Sequence, residues 1–239
     1  MLVHGSVSTG PRTWRAQQAL GDRFELVVLN RPGFPPGPPV ESVDFERDAT
    51  WLSERLRPGD HLAAHSYGGV IALLAAAEQP VLRSLTVVEP PAFGVARGHP
   101  AVEEFVETVS RHWQEPGHEP EAYLRGFLRA VGSHFDPPSP LPPELEQGAR
   151  LLLVERPPWE AEIPLARLRA PPLPTLVVSG GHSAAFDAVC DVLERELGAE
   201  RGVCPGAGHS AQAAPGFNEL LLDFLERAGS SGDSLGHRH

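Results

Sequence analysis

"HLAAHSYGGVIA", residues 61–72, places one serine between an apolar run and a string of small residues. The run "HLAAH" reads as a short buried strand and "GGVIALLAA" (68–76) as the opening of a buried helix, so Ser66 falls on a sharp strand-to-helix turn. Such a turn drives its central residue into strained dihedrals and needs small neighbours two positions to either side, so that helix and strand can approach. Ala64 and Gly68 meet that need. The pentapeptide is an A-x-S-x-G variant of the G-x-S-x-G nucleophile elbow, and alone it is a weak signal, because serine is common in tight turns. A helix N-terminus at Gly68 adds a partial positive field, and the amide of Tyr67 points at the place where an oxyanion would develop.

Working outward, short β-branched apolar runs alternate with helical patterns, the layout of a doubly wound, mostly parallel sheet of about six strands. The strands are expected at Leu2–His4, Glu25–Leu29, His61–His65, Leu85–Glu89, Thr175–Ser179 and Gly202–Cys204, and the helices at Pro11–Leu20, Phe45–Arg57, Gly68–Glu78, Phe186–Leu197 and Phe217–Ala228. From Ala92 to Leu173 no strand pattern occurs, and stretches such as "AVEEFVETVSRHW" and "PEAYLRGFLRAV" predict a helical insertion. The expected organisation is a core of residues 1–91 and 174–228, a helical cap over 92–173 and a disordered tail over 229–239, whose His237 and His239 are too isolated for a metal site. "RPGFPPGPPVES" (31–42) reads as a stiff surface loop.

Composition narrows the function. The 239 residues carry a net charge of −11, which repels phosphate backbones and anionic membranes, so no nucleic-acid partner and no membrane association are expected. All 20 basic residues are arginine, which removes Schiff-base, phosphate-loop and serine–lysine mechanisms. No apolar run reaches the roughly 18–20 residues that cross a bilayer, and "MLVHGSV" lacks the features of a secretory signal, so a soluble, cytoplasmic protein is expected. Two cysteines, Cys190 and Cys204, read as free thiols, and HExxH, GxGxxG and Walker-type patterns are absent, so no cofactor and no metal are expected.

In an open parallel sheet, ligands sit beyond the carboxyl ends of the strands. There, "VHGSV" ends the first strand with a His-Gly turn whose inward amide, from Ser6 or Val7, would be a second oxyanion donor. "CPGAGHS" ends the last strand with His209 on a glycine-rich loop. A lone loop histidine is ordinarily solvated; here turns of three strands converge at one edge, which makes His209 a candidate base for Ser66.

With these motifs, the chain resembles an α/β-hydrolase with a helical cap, similar to small cofactor-free esterases and carbon–carbon hydrolases, over nearly all of residues 1–228. The resemblance implies an acyl-enzyme mechanism in which Ser66 attacks a carbonyl and His209 takes and returns the proton. The acid departs from the family pattern: after "PTLVVSGG" come His182, Ser183, Ala184 and Ala185, with no carboxylate. Glu89, ending "LTVVEPP" at the strand where haloalkane dehalogenases carry theirs, is the better candidate, since a carboxylate closing an apolar strand is rarely buried without a partner and an imidazolium would be one; Asp187, inside a helix where an outward, solvated aspartate is the ordinary expectation, and a triad without an acid are the alternatives. Both acids keep the order Ser, acid, His. The opening strand is also short, with His4 reached four residues in.

The remaining residues take plainer roles: His4 braces its turn, His65 packs at the elbow, His182 sits near the site as a possible substrate contact, and Trp113, Phe127, Phe135 and Trp159 are core residues or pocket walls. The expected function is hydrolysis of an ester or similar acyl bond of a small, largely apolar molecule. A non-catalytic binding homologue, or a lyase using the same serine and histidine, are the alternatives.

Overall fold

The computed structural model describes residues 1–78, 82–114 and 119–233. Its centre is a six-stranded, all-parallel sheet: β1 (Leu2–Val3), β2 (Val28–Leu29), β3 (His61–His65), β4 (Ser84–Val88), β5 (Thr175–Ser179) and β6 (Glu200–Val203), in the order β2-β1-β3-β4-β5-β6. The helices are α1 (Gly10–Thr13), α2 (Phe45–Ser53), α3 (Tyr67–Glu78), α4 (Pro100–Gln114), α5 (Pro120–Ala130), α6 (Pro143–Leu152), α7 (Leu165–Arg169), α8 (Ala184–Leu197) and α9 (Phe217–Asp233). β3, β4 and β5 are buried on both faces, or nearly so, because helices cover both sides, and this is why they read as unbroken apolar runs rather than alternating ones.

Two apolar layers sandwich the sheet. One contains Phe45, Leu52, Ile71, Leu73, Phe186 and Leu193 from α2, α3 and α8; the other contains Trp14, Leu20, Phe217, Leu221 and Phe224, the last three from α9. A third cluster lies within the excursion between β4 and β5, where Tyr123, Leu124, Phe127 and Leu128 of α5 meet Leu145, Ala149 and Leu152 of α6. The spacing i, i+1, i+4, i+5 on α5 is the apolar stripe of a helix packed on one side. Val7, from the turn after β1, belongs to this third cluster, so the excursion docks on the edge of the sheet where strands end.

The boundaries differ from the sequence expectation where tertiary packing cuts local propensity short. The helix expected over Pro11–Leu20 is α1 followed by a 3-10 turn, Ala16–Leu20. β2, an edge strand paired on one side with β1, keeps only two residues of the five expected, and the expected Gly202–Cys204 strand lies at Glu200–Val203. β1 is a two-residue stub in the sheet interior, held on both sides by bonds from Leu2 N to Val27 O and from Ala63 N to Met1 O, both 2.9 Å. The region 31–42 is not a mere surface loop: Arg31 and Phe34 are fully buried, because the guanidinium finds a buried carboxylate, Asp48 of α2. The tail expected to be disordered from Gly229 continues α9 to Asp233, with Arg83 bonded to the Gly229 carbonyl and the Ser230 hydroxyl to that of Glu226; His237 and His239 lie outside the described residues.

The order β2-β1-β3 reverses direction between β1 and β3, and a crevice opens at such a switch point. Here two backbones nearly touch: a Cβ on Gly68 would stand 2.4 Å from the His4 carbonyl oxygen. Neither backbone can retreat without pulling apart a strand pair. Gly68→Ala is therefore expected to lower stability by at least about 2 kcal/mol, a Tm drop of about 4–8 °C for a chain of this size. A melt within 1 °C of wild type, measured by circular dichroism, would refute this account of the contact.

Candidate active site

Among the described residues, the non-glycine residues with positive φ are Val7 (69°), Ser66 (54°) and Glu89 (51°). Each follows the end of a strand, and the strands β1, β3 and β4 are neighbours. A left-handed conformation costs about 1–3 kcal/mol outside glycine and is a genuine outlier for a β-branched valine, so the strain of this fold collects along one edge. The turn after β3 is pinned by a bond from Ser66 N to Val88 O, 2.9 Å, and the turn after β4 by one from Glu89 N to Val178 O, 2.8 Å. Gly5 lies so close to the serine that a Cβ there would stand 2.7 Å from Ser66 Cβ.

β6 lies three strands away from β3, about 14 Å at the usual strand spacing, and the loop after it has to return across β5 and β4 to reach the serine. Glycines make the return possible. A Cβ on Gly180 would stand 2.3 Å from the Gly208 carbonyl oxygen, and one on Gly208, at φ 55°, would stand 2.2 Å from that of Gly132. The loop is tied at its tip: His209 N donates to Gly132 O at 3.2 Å, and His65 Nε2 donates to the His209 carbonyl at 2.8 Å.

The imidazole so delivered lies between hydroxyl and carboxylate. His209 Nε2 is 2.8 Å from Ser66 Oγ, and its Nδ1 is 3.1 Å from Glu89 Oε2. The second oxygen of Glu89 accepts from Gly180 N at 2.5 Å. Of the acids weighed from sequence, Glu89 is the one brought to the histidine. Asp187 instead bonds the Ser179 hydroxyl and, at 3.1 Å, Arg201. The carboxylate-free stretch after β5 supplies a main-chain donor to Glu89 in place of a side chain.

Burial governs the charges. Glu89 is fully buried, and desolvation pushes its pKa up to about 7 against the pull of the Gly180 amide and of His182. Burial also lowers His209 to about 3, which keeps the imidazole neutral and able to accept a proton. His65 and His4 are lowered to about 3 by the same cause. His4 Nδ1 donates to Gly5 O and its Nε2 accepts from Arg31 N, so it braces the turn after β1. His182 donates through Nε2 to Val131 O and holds Nδ1 3.8 Å from Glu89 Oε2. Glu89, His182 and His209 present ligand atoms within 4.8 Å of one another, the spacing of a metal site, but the Glu89 and His209 atoms already bond each other.

Two cavities meet at the serine. One, of about 250 Å³, is lined by Val7, Arg12, Phe127, Phe135 and Gln212. The other, of about 20 Å³, is walled by Phe93, Trp113, Trp159 and Phe186. Ser6, Ser66, Phe127, Val131 and His209 line both. Tyr67 opens α3, so its N–H has no partner inside the helix; its ring is buried and its hydroxyl donates to Arg156 O.

The sequence reading missed a second buried group beside the site. Arg31 bonds Asp48 through Nε and Nη2 and the Gly5 carbonyl through Nη1, all at 2.9–3.0 Å, and Ser6 Oγ donates to Glu155 at 2.5 Å. A signal for the first pair existed: Asp48 interrupts the apolar face of α2 formed by Phe45, Ala49 and Leu52, and a carboxylate in that position needs a buried partner. Nothing in "LLLVERPPW" marks Glu155.

A model of the Alpha/beta hydrolase family matches residues 1–217. The chain belongs to that family. This hydrolase resembles many solved structures in fold: an alpha/beta hydrolase from Sphaerobacter thermophilus, 22% identical, with TM-score 0.66 over 94% of this chain and 91% of that one; NosK from Streptomyces actuosus, 23% identical, TM-score 0.60, over 95% and 97%; and carboxylesterase CesB from Bacillus subtilis, 19% identical, TM-score 0.63, over 94% and 82%. No curated protein matches this hydrolase in sequence. Among its described residues, no helix is long and apolar enough to cross a membrane.

The raised pKa of Glu89 has a consequence for stability. A carboxyl with a pKa of 4.5 unfolded and about 7 folded favours the folded state below pH 4.5, and that contribution is lost as pH rises through 7. Relative to wild type, Glu89→Gln is expected to gain in urea midpoint from pH 4.5 to 7 and to level off above. A difference that stays flat over this range would show that burial does not raise this carboxyl.

Proposed function

We infer that this hydrolase cleaves an ester, or a similarly activated acyl bond, of a small and largely apolar substrate through an acyl-enzyme on Ser66. The observation that carries the reading is the continuous chain from Ser66 Oγ through His209 to Glu89, at 2.8 and 3.1 Å. Ser66 Oγ attacks the carbonyl carbon while its proton passes to His209 Nε2. The imidazolium is held through Nδ1–H by Glu89. Negative charge on the carbonyl oxygen falls to the amide of Tyr67, at the start of α3, and to that of Ser6 or Val7 on the strained turn after β1. Collapse of the tetrahedral intermediate sends the proton from Nε2 to the leaving oxygen, and a water repeats the cycle against the acyl-enzyme.

Residues 92–173 act as a cap in this reading. Phe127, Val131 and Leu145 supply apolar surface to the larger cavity beside the serine, where an acyl or leaving group would pack. The substrate is a small molecule, bound in the two cavities that share Ser66. The esterase among the structural relatives agrees with this class of reaction and supplies no substrate for this chain.

Ser66→Ala is expected to abolish turnover of short p-nitrophenyl esters and labelling by a fluorophosphonate, while leaving the fold intact. Glu89→Gln should lower kcat by about 10²–10⁴-fold and Asp187→Asn by less than about threefold. Because the carboxylate form of Glu89 holds the imidazolium, kcat/KM should fall below pH 7 along a limb with an apparent pKa near that of Glu89. Unaltered turnover in Ser66→Ala would remove the serine from the chemistry and leave a binding protein of hydrolase fold.

A further inference from the structure

Two imidazoles address the same oxygen of Glu89. His209 is one; the other is His182, which follows β5 and stacks on Phe186 with ring centroids 6.1 Å apart. Its Nε2 donates to the Val131 carbonyl, just past α5, at 3.0 Å. Its Nδ1 faces Glu89 Oε2 at 3.8 Å, the oxygen that also takes His209 Nδ1 at 3.1 Å. Both polar neighbours of the His182 ring are therefore acceptors, a carbonyl and a carboxylate.

A neutral imidazole carries one N–H. With Nε2 donating to Val131, the Nδ1 lone pair is left facing an anionic oxygen, an unfavourable arrangement away from water. An imidazolium donates from both nitrogens and suits both neighbours. Access favours this ring too: its side chain is 18% exposed, against 7% for His209 and 0% for Glu89, so of the three it is the one open to a proton from solvent. The other charged and titratable groups nearby are otherwise engaged. Asp187 of α8 and Arg201 of β6 bond each other at 3.1 Å. Burial pushes the Cys190 thiol of α8 up to about 12, so it stays neutral, and His134 of the excursion lies against Gly208. A charge on His182 opposes one on His209, whose ring centre is 6.3 Å away, but the oxygen they share offsets the repulsion while it is anionic.

We propose that His182 is a positioning residue for Glu89: as pH falls it takes at Nδ1 the proton that Glu89 would otherwise take, and so keeps Glu89 anionic beside His209. The proton comes from solvent, and the N–H bond is the only one formed. The excursion takes part, because the Val131 carbonyl fixes which ring nitrogen is turned to Glu89. This proposal rests on the reading of Ser66, His209 and Glu89 above and adds a fourth member to that group.

The test follows kcat/KM for p-nitrophenyl acetate against pH in wild type, His182→Gln and His182→Phe. Glutamine keeps a donor for Val131 without a titrating proton, and phenylalanine keeps a ring on Phe186. In both variants the acid limb is expected to move up by about 0.5 pH unit or more, so that kcat/KM at pH 6, scaled to each variant's alkaline plateau, falls about threefold or more. A limb that stays in place while kcat or KM changes would overturn the proposal and make His182 a prop between sheet and excursion. So would a shift in one variant alone, which would assign the effect to the Val131 bond or to the ring. If no ester is cleaved, the urea midpoint decides separately. On a His182→Gln background, Glu89→Gln should go on gaining midpoint above pH 7, past the point where the gain levels off on the wild-type background. Equal ranges on the two backgrounds would end the proposal whatever the activity.

Discussion

The geometry at this crevice depends on how closely two backbones can approach where β1 and β3 run side by side. Register pairs Val3 with Ala64, so the residues that follow, Gly5 and Ser66, come opposite one another as the strands end. Gly5 and Gly68 leave no room for a methyl group, facing respectively Ser66 and the His4 carbonyl, and one on Gly69 would press on Pro90 at 3.0 Å. The absence of side chains at these points brings the turn after β1 within reach of the serine. From the other side, a Cβ on Gly148 of α6 would stand 2.1 Å from the Val7 carbonyl oxygen, so the excursion presses on the same turn. Strain at Val7, Ser66 and Glu89 is maintained by this packing, since an isolated turn would relax it.

A second constraint is electrostatic. Three carboxyl groups, of Asp48, Glu89 and Glu155, are buried around one guanidinium and the imidazoles of His4, His65 and His209. Asp48 takes the arginine directly. Glu89 has an amide and an imidazole, and Glu155 a hydroxyl and a distant charge, and burial raises both of these carboxyls to about 7. The difference is chemical. A well-paired carboxylate such as Asp48 serves the fold, bracing Arg31 and through it the Gly5 carbonyl. Poorly compensated ones are costly to the fold and useful to a reaction, because a proton or a ligand arriving there meets unspent negative potential.

Much of this was legible in the sequence, for identifiable reasons. The strands β3, β4 and β5 carry continuous apolar runs because both faces are buried, and their ends in Ser66, Glu89 and Gly180 follow directly. Ser66 and His209 stand in glycine-rich turns at strand ends, a pattern that exists only where backbones crowd. Glu89 was favoured over Asp187 because it closes an apolar strand; what the residues could not show is Arg201 reaching across to claim Asp187. Glu155 was invisible because its partner Ser6 is 149 positions away and neither residue breaks a local pattern. Arg31 was misjudged because proline and glycine around it signal a loop, and loops are usually exposed; the counter-signal lay on another element, in Asp48. Short edge strands and helix ends shifted by a few residues, as they do where packing and not propensity sets the boundary.

Placing the anion after β4 rather than after β5 changes the site in a specific way. β4 is the immediate neighbour of β3, so the carboxylate sits deeper in the sheet and is reached by His209 only because the loop after β6 crosses over Gly180. That crossing requires glycine at 180 and 208, and the backbone N–H of Gly180 donates to Glu89. An anion held by one amide and one imidazole, away from solvent, is less stabilised than one sharing several donors, and its pKa rises accordingly. The glycines at 180 and 208, the approach of His209 to Glu89 and the high pKa of Glu89 therefore go together: the backbone contact that lets the imidazole in also buries the carboxylate away from solvent.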